Sequence, residues 1–235
     1  MKFFNLVAAS VVAGLVLTAS AFAAPISIVG IDADWTGVTP LTGITVDNSG
    51  DPVTMRWGSG NDGPSGYDFD MSDTPIGPPL TNPILLGSFT HHNNPITGTT
   101  LLQASLDVVL TLTGGLTISR TFDFTHDETP NRPALENCKY PSSGSRCDDL
   151  VTVSNTNVGE ALTIGGVGYI LNIIGFSEDN GVSTSASFQT IERGSNVASL
   201  YASIDVAPVP LPAAGWMLIA GMGGLVAMRR RKSTR

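Results

Sequence analysis

The sequence predicts an all-β protein: one antiparallel β-sandwich ectodomain, of jelly-roll or immunoglobulin-like kind, with an N-terminal signal helix and one C-terminal transmembrane helix. Three observations lead there. Apolar and polar side chains alternate with a period of two through much of the span between Ala24 and Pro208, the pattern of strands with one buried face. No ten-residue stretch of that span carries a capped 3.6-residue period, so helices are not expected there. Gly (26) and Pro (15) are abundant among the 235 residues while only 14% are charged, a composition of many turns.

The N-terminal end reads as an address. Lys2, an apolar stretch from Leu6 to Leu17 and the small residues of Ala19-Ser20-Ala21-Phe22-Ala23-Ala24 form a secretory signal peptide over 1–23, cleaved after Ala23. The ectodomain then occupies 24–206.

Within it the strands follow in order: Ile26–Ile31, Gly43–Val46, Val53–Trp57 and Ile84–Thr90. Between the last two, Gly- and Pro-rich Gly58–Pro83 reads as a long surface loop. From Leu102 to Thr113, Leu102, Ala104, Leu106, Val108, Leu110 and Leu112 share one face. Gly114-Gly115 turns the chain into Leu116–His126, where Ile118, Phe122 and Phe124 alternate with Thr and Ser. Two such strands across a Gly-Gly turn form a hairpin. Leu150–Ser154, Val167–Phe176, Ala186–Glu192 and Ala198–Val206 complete about ten strands, enough for one two-sheet domain.

The C-terminal segment, 207–235, is the second address. Pro208, Pro210 and Pro212 exclude helix; an apolar run follows over 213–228, then a basic tail, 229–235, beginning Arg229-Arg230-Arg231-Lys232. Sixteen helical residues rise about 24 Å against a hydrocarbon core of about 30 Å. Snorkelling arginines and Trp216 at the opposite interface cover the difference. The basic tail stays in the cytoplasm, which places the ectodomain outside the cytoplasmic membrane.

Val209-Pro210-Leu211-Pro212-Ala213, the Gly-rich apolar run and the Arg-rich tail resemble the VPLPA variant of PEP-CTERM sorting signals over residues 209–235. The resemblance implies an exported protein of a Gram-negative bacterium, handled by the Sec translocase and signal peptidase. It further implies recognition by an exosortase-type transpeptidase, which removes the helix and passes the protein to the cell surface or extracellular matrix. A permanent single-pass anchor is the alternative fate.

One internal echo stands out: Phe89-Thr90-His91 and Phe124-Thr125-His126, each followed four residues after the His by a Pro. Two readings apply. In the structural one, each His ends a strand and hydrogen-bonds to a turn. In the other, strand pairing brings His91 and His126 together, with Asp127 beside them, at a metal. Two His without a fixed third ligand do not specify zinc, so no metal is expected. The same residues, the Cys pair and the Gly168-Tyr169-x-Leu171 run resemble the choice-of-anchor K family over about residues 50–180. That resemblance implies an exported β domain and assigns no catalytic residue.

Cys138 and Cys147 are the only cysteines; outside the cytoplasm so close a pair forms a disulfide. No cofactor is expected. Calcium is the one alternative, offered by Asp47–Asp51, Asp68–Asp73 and Glu178–Gly181, none of which fits a full Ca²⁺-loop pattern.

The formal charge of −8 excludes nucleic acid, which needs a basic face. Its distribution sharpens the point: all 20 carboxylates lie between Asp32 and Asp205, alongside only six cations. Catalytic signatures are missing: there is no nucleophile elbow, zinc-protease motif or phosphate loop. Asp123, Asp127 and Glu128 are the carboxylates a glycoside hydrolase would need, and no catalytic residue is assigned.

The expectation is a non-enzymatic, surface-sorted structural or adhesive component of the bacterial envelope or matrix. A carbohydrate-binding, lectin-like module is the alternative, calcium-dependent if the acidic loops bind an ion. Trp35, Trp57 and Tyr67 are its candidates for stacking on polysaccharide; the competing reading is that at least Trp57 belongs to the core.

Overall fold

A computed structural model describes residues 26–77, 82–131, 137–140, 142, 146–155, 162–164 and 167–207. The signal peptide (1–23), the sorting motif Val209–Ala213, the apolar run 213–228 and the tail Arg229, Arg230, Arg231 and Lys232 lie outside the described residues. Among the described residues no helix is long and apolar enough to cross a membrane.

The described chain is all-β and antiparallel. In order the strands are β1 (Ile28–Thr39), β2 (Ile44–Asp47), β3 (Val53–Trp57), β4 (Ser65–Met71), β5 (Ile84–Asn93) and β6 (Gln103–Leu112). There follow β7 (Thr117–Asp127), β8 (Asp149–Asn155), β9 (Leu162–Ile164), β10 (Val167–Ser177), β11 (Ser187–Thr190) and β12 (Gly194–Val206). They form a five-stranded sheet, β1-β6-β7-β8-β11, and a seven-stranded sheet, β2-β3-β4-β5-β12-β10-β9.

The hairpin expected across Gly114-Gly115 is β6–β7, running from Thr111 opposite Thr117 to Gln103 opposite Thr125. Both glycines have positive φ, 91° and 78°, which a side chain at those positions would resist. The loop expected over 58–83 contains β4 instead. There Ser65, Tyr67 and Phe69 point inward between outward Asp68 and Asp70, but Asp has low strand propensity and the flanking Gly and Pro blur the signal. β9, of three residues, was also too short to show a period.

One hydrophobic core joins the inner faces of both sheets, as a sandwich requires. Its centre is aromatic. Trp35 of β1 packs against Tyr67 and Phe89 of the opposite sheet, with ring centroids 5.8 and 6.4 Å away, and its indole N–H donates to the Val53 carbonyl at 3.2 Å. Phe89 stacks on Phe124 across the sandwich at 5.5 Å and 16°. Removing a ring from such a centre costs about 3–5 kcal/mol. At one end of the sandwich, beyond Phe89 and Phe124, the inward positions turn polar.

Candidate functional site

The polar end begins two residues further along each strand. Side chains two apart in a strand share a face, so Phe89 on β5 carries His91 inward with it, and Phe124 on β7 carries His126. The internal echo of the sequence is therefore two strands facing each other from opposite sheets. It is not strand pairing that joins the histidines, since β5 pairs with β4 and β12 while β7 pairs with β6 and β8. Of the structural reading, His126 does reach Glu128 in the segment that follows β7, whereas His91 bonds Thr190 at the end of β11 rather than its own turn. Both are buried in the interior, their ring centroids 5.0 Å apart.

Each imidazole is gripped on one nitrogen. Nδ1 of His91 lies 2.8 Å from Thr190 Oγ1, and Nδ1 of His126 lies 2.5 Å from the Tyr67 hydroxyl. The Trp57 indole stacks against His91 at 5.9 Å and meets His126 edge-on at 5.3 Å. The other His126 nitrogen, Nε2, faces Glu128 Oε2 at 3.1 Å and Asp149 Oδ2 at 4.0 Å. Asp149 opens β8 on that strand's inward face, followed there by Val151 and Val153. Its Oδ1 accepts the Thr129 N–H at 2.7 Å, while its Oδ2 and His91 Nε2 are buried without a partner.

Burial dominates the electrostatics. It pushes the Asp149 carboxyl up to about 8, with Glu128 and Glu192 adding repulsion. Glu192 rises to about 7 for the same first reason, reinforced by Glu128; Asn131 turns its amide nitrogen to the Glu192 carboxylate at 2.5 and 3.0 Å. Desolvation holds His91 well below the usual histidine range, with His126 contributing, so the His91 ring is neutral at neutral pH. The Tyr67 hydroxyl, raised by burial and by Asp149, keeps its proton.

His91, His126 and Asp149 thus converge, one ligand atom of each lying within 4.8 Å of the others. Asp127, the carboxylate expected beside the histidines, points to the other face of β7, where Lys139 and Tyr140 hold it. Asp149 takes its place. The readable signal was parity: a carboxylate in step with Val151 and Val153 on an apolar strand belongs to the interior.

The remaining expected residues are scattered. Trp35, Trp57 and Tyr67 are 2%, 1% and 0% exposed, so none is a platform for sugar; all three are core. Asp123 accepts the Ser105 hydroxyl at 2.7 Å on the outer face of the hairpin. It does not join Glu128, so the three carboxylates considered for glycoside hydrolysis do not form a pair across a cleft. Of the acidic loops, Asp47 accepts Ser49 N–H and O–H at 2.9 and 2.6 Å. Asp179 likewise ties Ser177 and Ser183 at 2.8 and 2.5 Å, both as turns rather than as open ligand sets. Asp68 pairs with Arg56 at 2.5 Å and with His92 at 2.8 Å. Asp70 is raised by partial burial and by Asp51 and Asp73 beside it.

Cys138 and Cys147 form the expected disulfide, with Cα atoms 5.2 Å apart. It closes the loop that bears Lys139 and Tyr140. No family model and no curated protein matches the chain.

Proposed function

We propose that the chain is an exported, surface-sorted protein without enzymatic activity, a structural or adhesive component of the bacterial envelope or extracellular matrix. The observation that carries the reading is the Cys138–Cys147 disulfide, because such bonds persist in oxidising compartments and are rare in the cytosol. On this reading the ectodomain spans 24–206, and the segment 207–235 is a VPLPA-type signal. An exosortase-type enzyme acts on that signal after the Sec translocase and signal peptidase have acted at the N-terminus. Within the β-sandwiches we place the domain among jelly-roll or immunoglobulin-like folds. The late strand β12 returning to pair with β5 along Ile84–Asn93 supports long crossovers of that kind. The lectin-like alternative draws nothing from Trp35, Trp57 and Tyr67, which are sealed inside.

The test is processing. In the native host, Arg229, Arg230 and Arg231 are replaced together by Ala, and the mature protein is weighed and fractionated. Wild type should appear as a species shortened at both ends in the surface or extracellular fraction. The variant should stay longer and membrane-bound or mis-oriented. Identical mature masses and locations for the two would refute sorting through the tail.

A further inference from the structure

We propose that His91, His126 and Asp149 form a buried site for one divalent transition-metal ion, zinc by ligand type, held between the two sheets. The inference goes beyond the surface-sorting reading and does not depend on it.

His91 and Asp149 are each fixed through one side-chain atom and hold a second, unpartnered atom toward the same point. Thr190 donates its hydroxyl proton toward the Asp149 carbonyl, 3.4 Å away. In the tautomer that puts the proton on His91 Nδ1, that hydroxyl oxygen accepts from His91 at 2.8 Å, and His91 Nε2 carries a lone pair. That nitrogen is buried and has no donor. Asp149 is anchored through Oδ1 to the Thr129 amide, which leaves Oδ2 unpartnered. His126 is anchored at Nδ1 by Tyr67, and its Nε2 faces Glu128 Oε2 at 3.1 Å and Asp149 Oδ2 at 4.0 Å, so an ion there would take the place of the Glu128 contact. Orienting partners on the far nitrogen are the usual support of a metal-bound imidazole.

His91 Nε2 and Asp149 Oδ2 converge without a hydrogen-bond partner, and buried polar atoms left so are costly; a cation between them would satisfy both. Among the described residues no Lys or Arg lies within ion-pair distance of Asp149 or Glu128, so the cluster lacks positive charge of its own. Tetrahedral zinc ligands lie about 2.0–2.2 Å from the metal, hence about 3.3 Å from one another. The 4.0 Å between His126 Nε2 and Asp149 Oδ2 needs only a modest contraction. Glu128 stands beside His126 with a side chain 13% exposed, at the open side where a fourth ligand or a water belongs. Two imidazole nitrogens and a carboxylate, buried and backed by Trp57, are a ligand set that zinc takes with a fourth position open.

The test uses the full chain, stripped with EDTA and titrated with cobalt(II) chloride and then zinc chloride. Wild type should bind one equivalent of cobalt, with visible bands of four-coordinate geometry that zinc abolishes, and its melting temperature should rise by several degrees. Asp149→Asn, which keeps the side-chain volume, should lose stoichiometric binding, and so should His91→Gln. Thr190→Val should weaken it about 10–100-fold, the range for orienting partners. His92→Gln, on the opposite face beside Asp68, should bind as wild type does. Wild type without stoichiometric cobalt or zinc would overturn the proposal, even if a ligand variant fails to fold. So would loss of binding in His92→Gln with retention in Asp149→Asn.

Discussion

The imidazoles of His91 and His126 stand at 90° to each other, 5.0 Å apart, although their strands belong to different sheets and never pair. Directly beneath them Phe89 and Phe124 stack face to face. Within one inward step along each strand the sandwich changes from its most apolar layer to its most polar one.

Tyr67 links the layers, since its ring packs on Phe89 at 4.8 Å while its hydroxyl meets His126. Tyr67→Phe strands a buried ring nitrogen and should cost about 1–3 kcal/mol in denaturant unfolding. His92→Asn removes partly exposed contacts with Asp68 and Ser195 and should cost under about 1 kcal/mol. Equal losses for the two variants would contradict the placement of His126 against Tyr67.

Arg120 sits on the inward side of β7 between Ile118 and Phe122, 6% exposed, with Nε and one terminal nitrogen unpartnered. Burial lowers its basicity. Arg120→Met keeps the apolar stem and discards the unpaired nitrogens, so thermal unfolding should show a gain of about 1 kcal/mol. A loss of that size would show that the guanidinium has a partner.

The bond between Cys138 and Cys147, nine positions apart, should contribute about 2–3 kcal/mol by restricting the unfolded chain. Replacing both cysteines by Ser should lower the unfolding midpoint accordingly. Non-reducing mass spectrometry of the purified protein should find the linked peptides two hydrogens lighter than the thiols. Full alkylation without reductant would count against the bond.

Glu192, raised to about 7 by burial and Glu128, is also pushed up by Asp148 and eased by Arg146 and Arg193. Its folded state holds a proton that the unfolded chain releases near pH 4.5. By linkage this contribution is fully present below that value and fades as pH rises through 7. Unfolding free energy of metal-free protein, measured from pH 4 to 8, should slope downward. In Glu192→Gln that part of the slope should flatten.

What the sequence disclosed was whatever depends on neighbours along the chain. Val53–Trp57 is β3 to the residue, and the alternating leucines around Gly114-Gly115 gave the hairpin. The disulfide followed from a nearby pair and an exported context. Hidden from it was β4, where Tyr67 and Phe69 alternate with aspartates inside a Gly-rich stretch. So was the meeting of β5 with β7, because contact between sheets leaves no local period. The echo at His91 and His126 marked two members of the cluster. Asp149 was legible only as a charge in phase with apolar neighbours, and Thr190 as nothing at all. Beside His91 stands His92, which the same strand turns to the opposite face.

That adjacency has a consequence for how the chain finds its alignment. Were β5 to slide by one residue against β4 and β12, His92 would enter the interior in place of His91, one imidazole for another. The error would be chemically silent at the histidines themselves. It would be felt two residues away, where Thr90 would replace Phe89 and the stack on Phe124 would vanish, at about 3–5 kcal/mol. A chain that has not yet docked Phe89 has nothing with which to tell its two histidines apart; the phenylalanine proofreads the site.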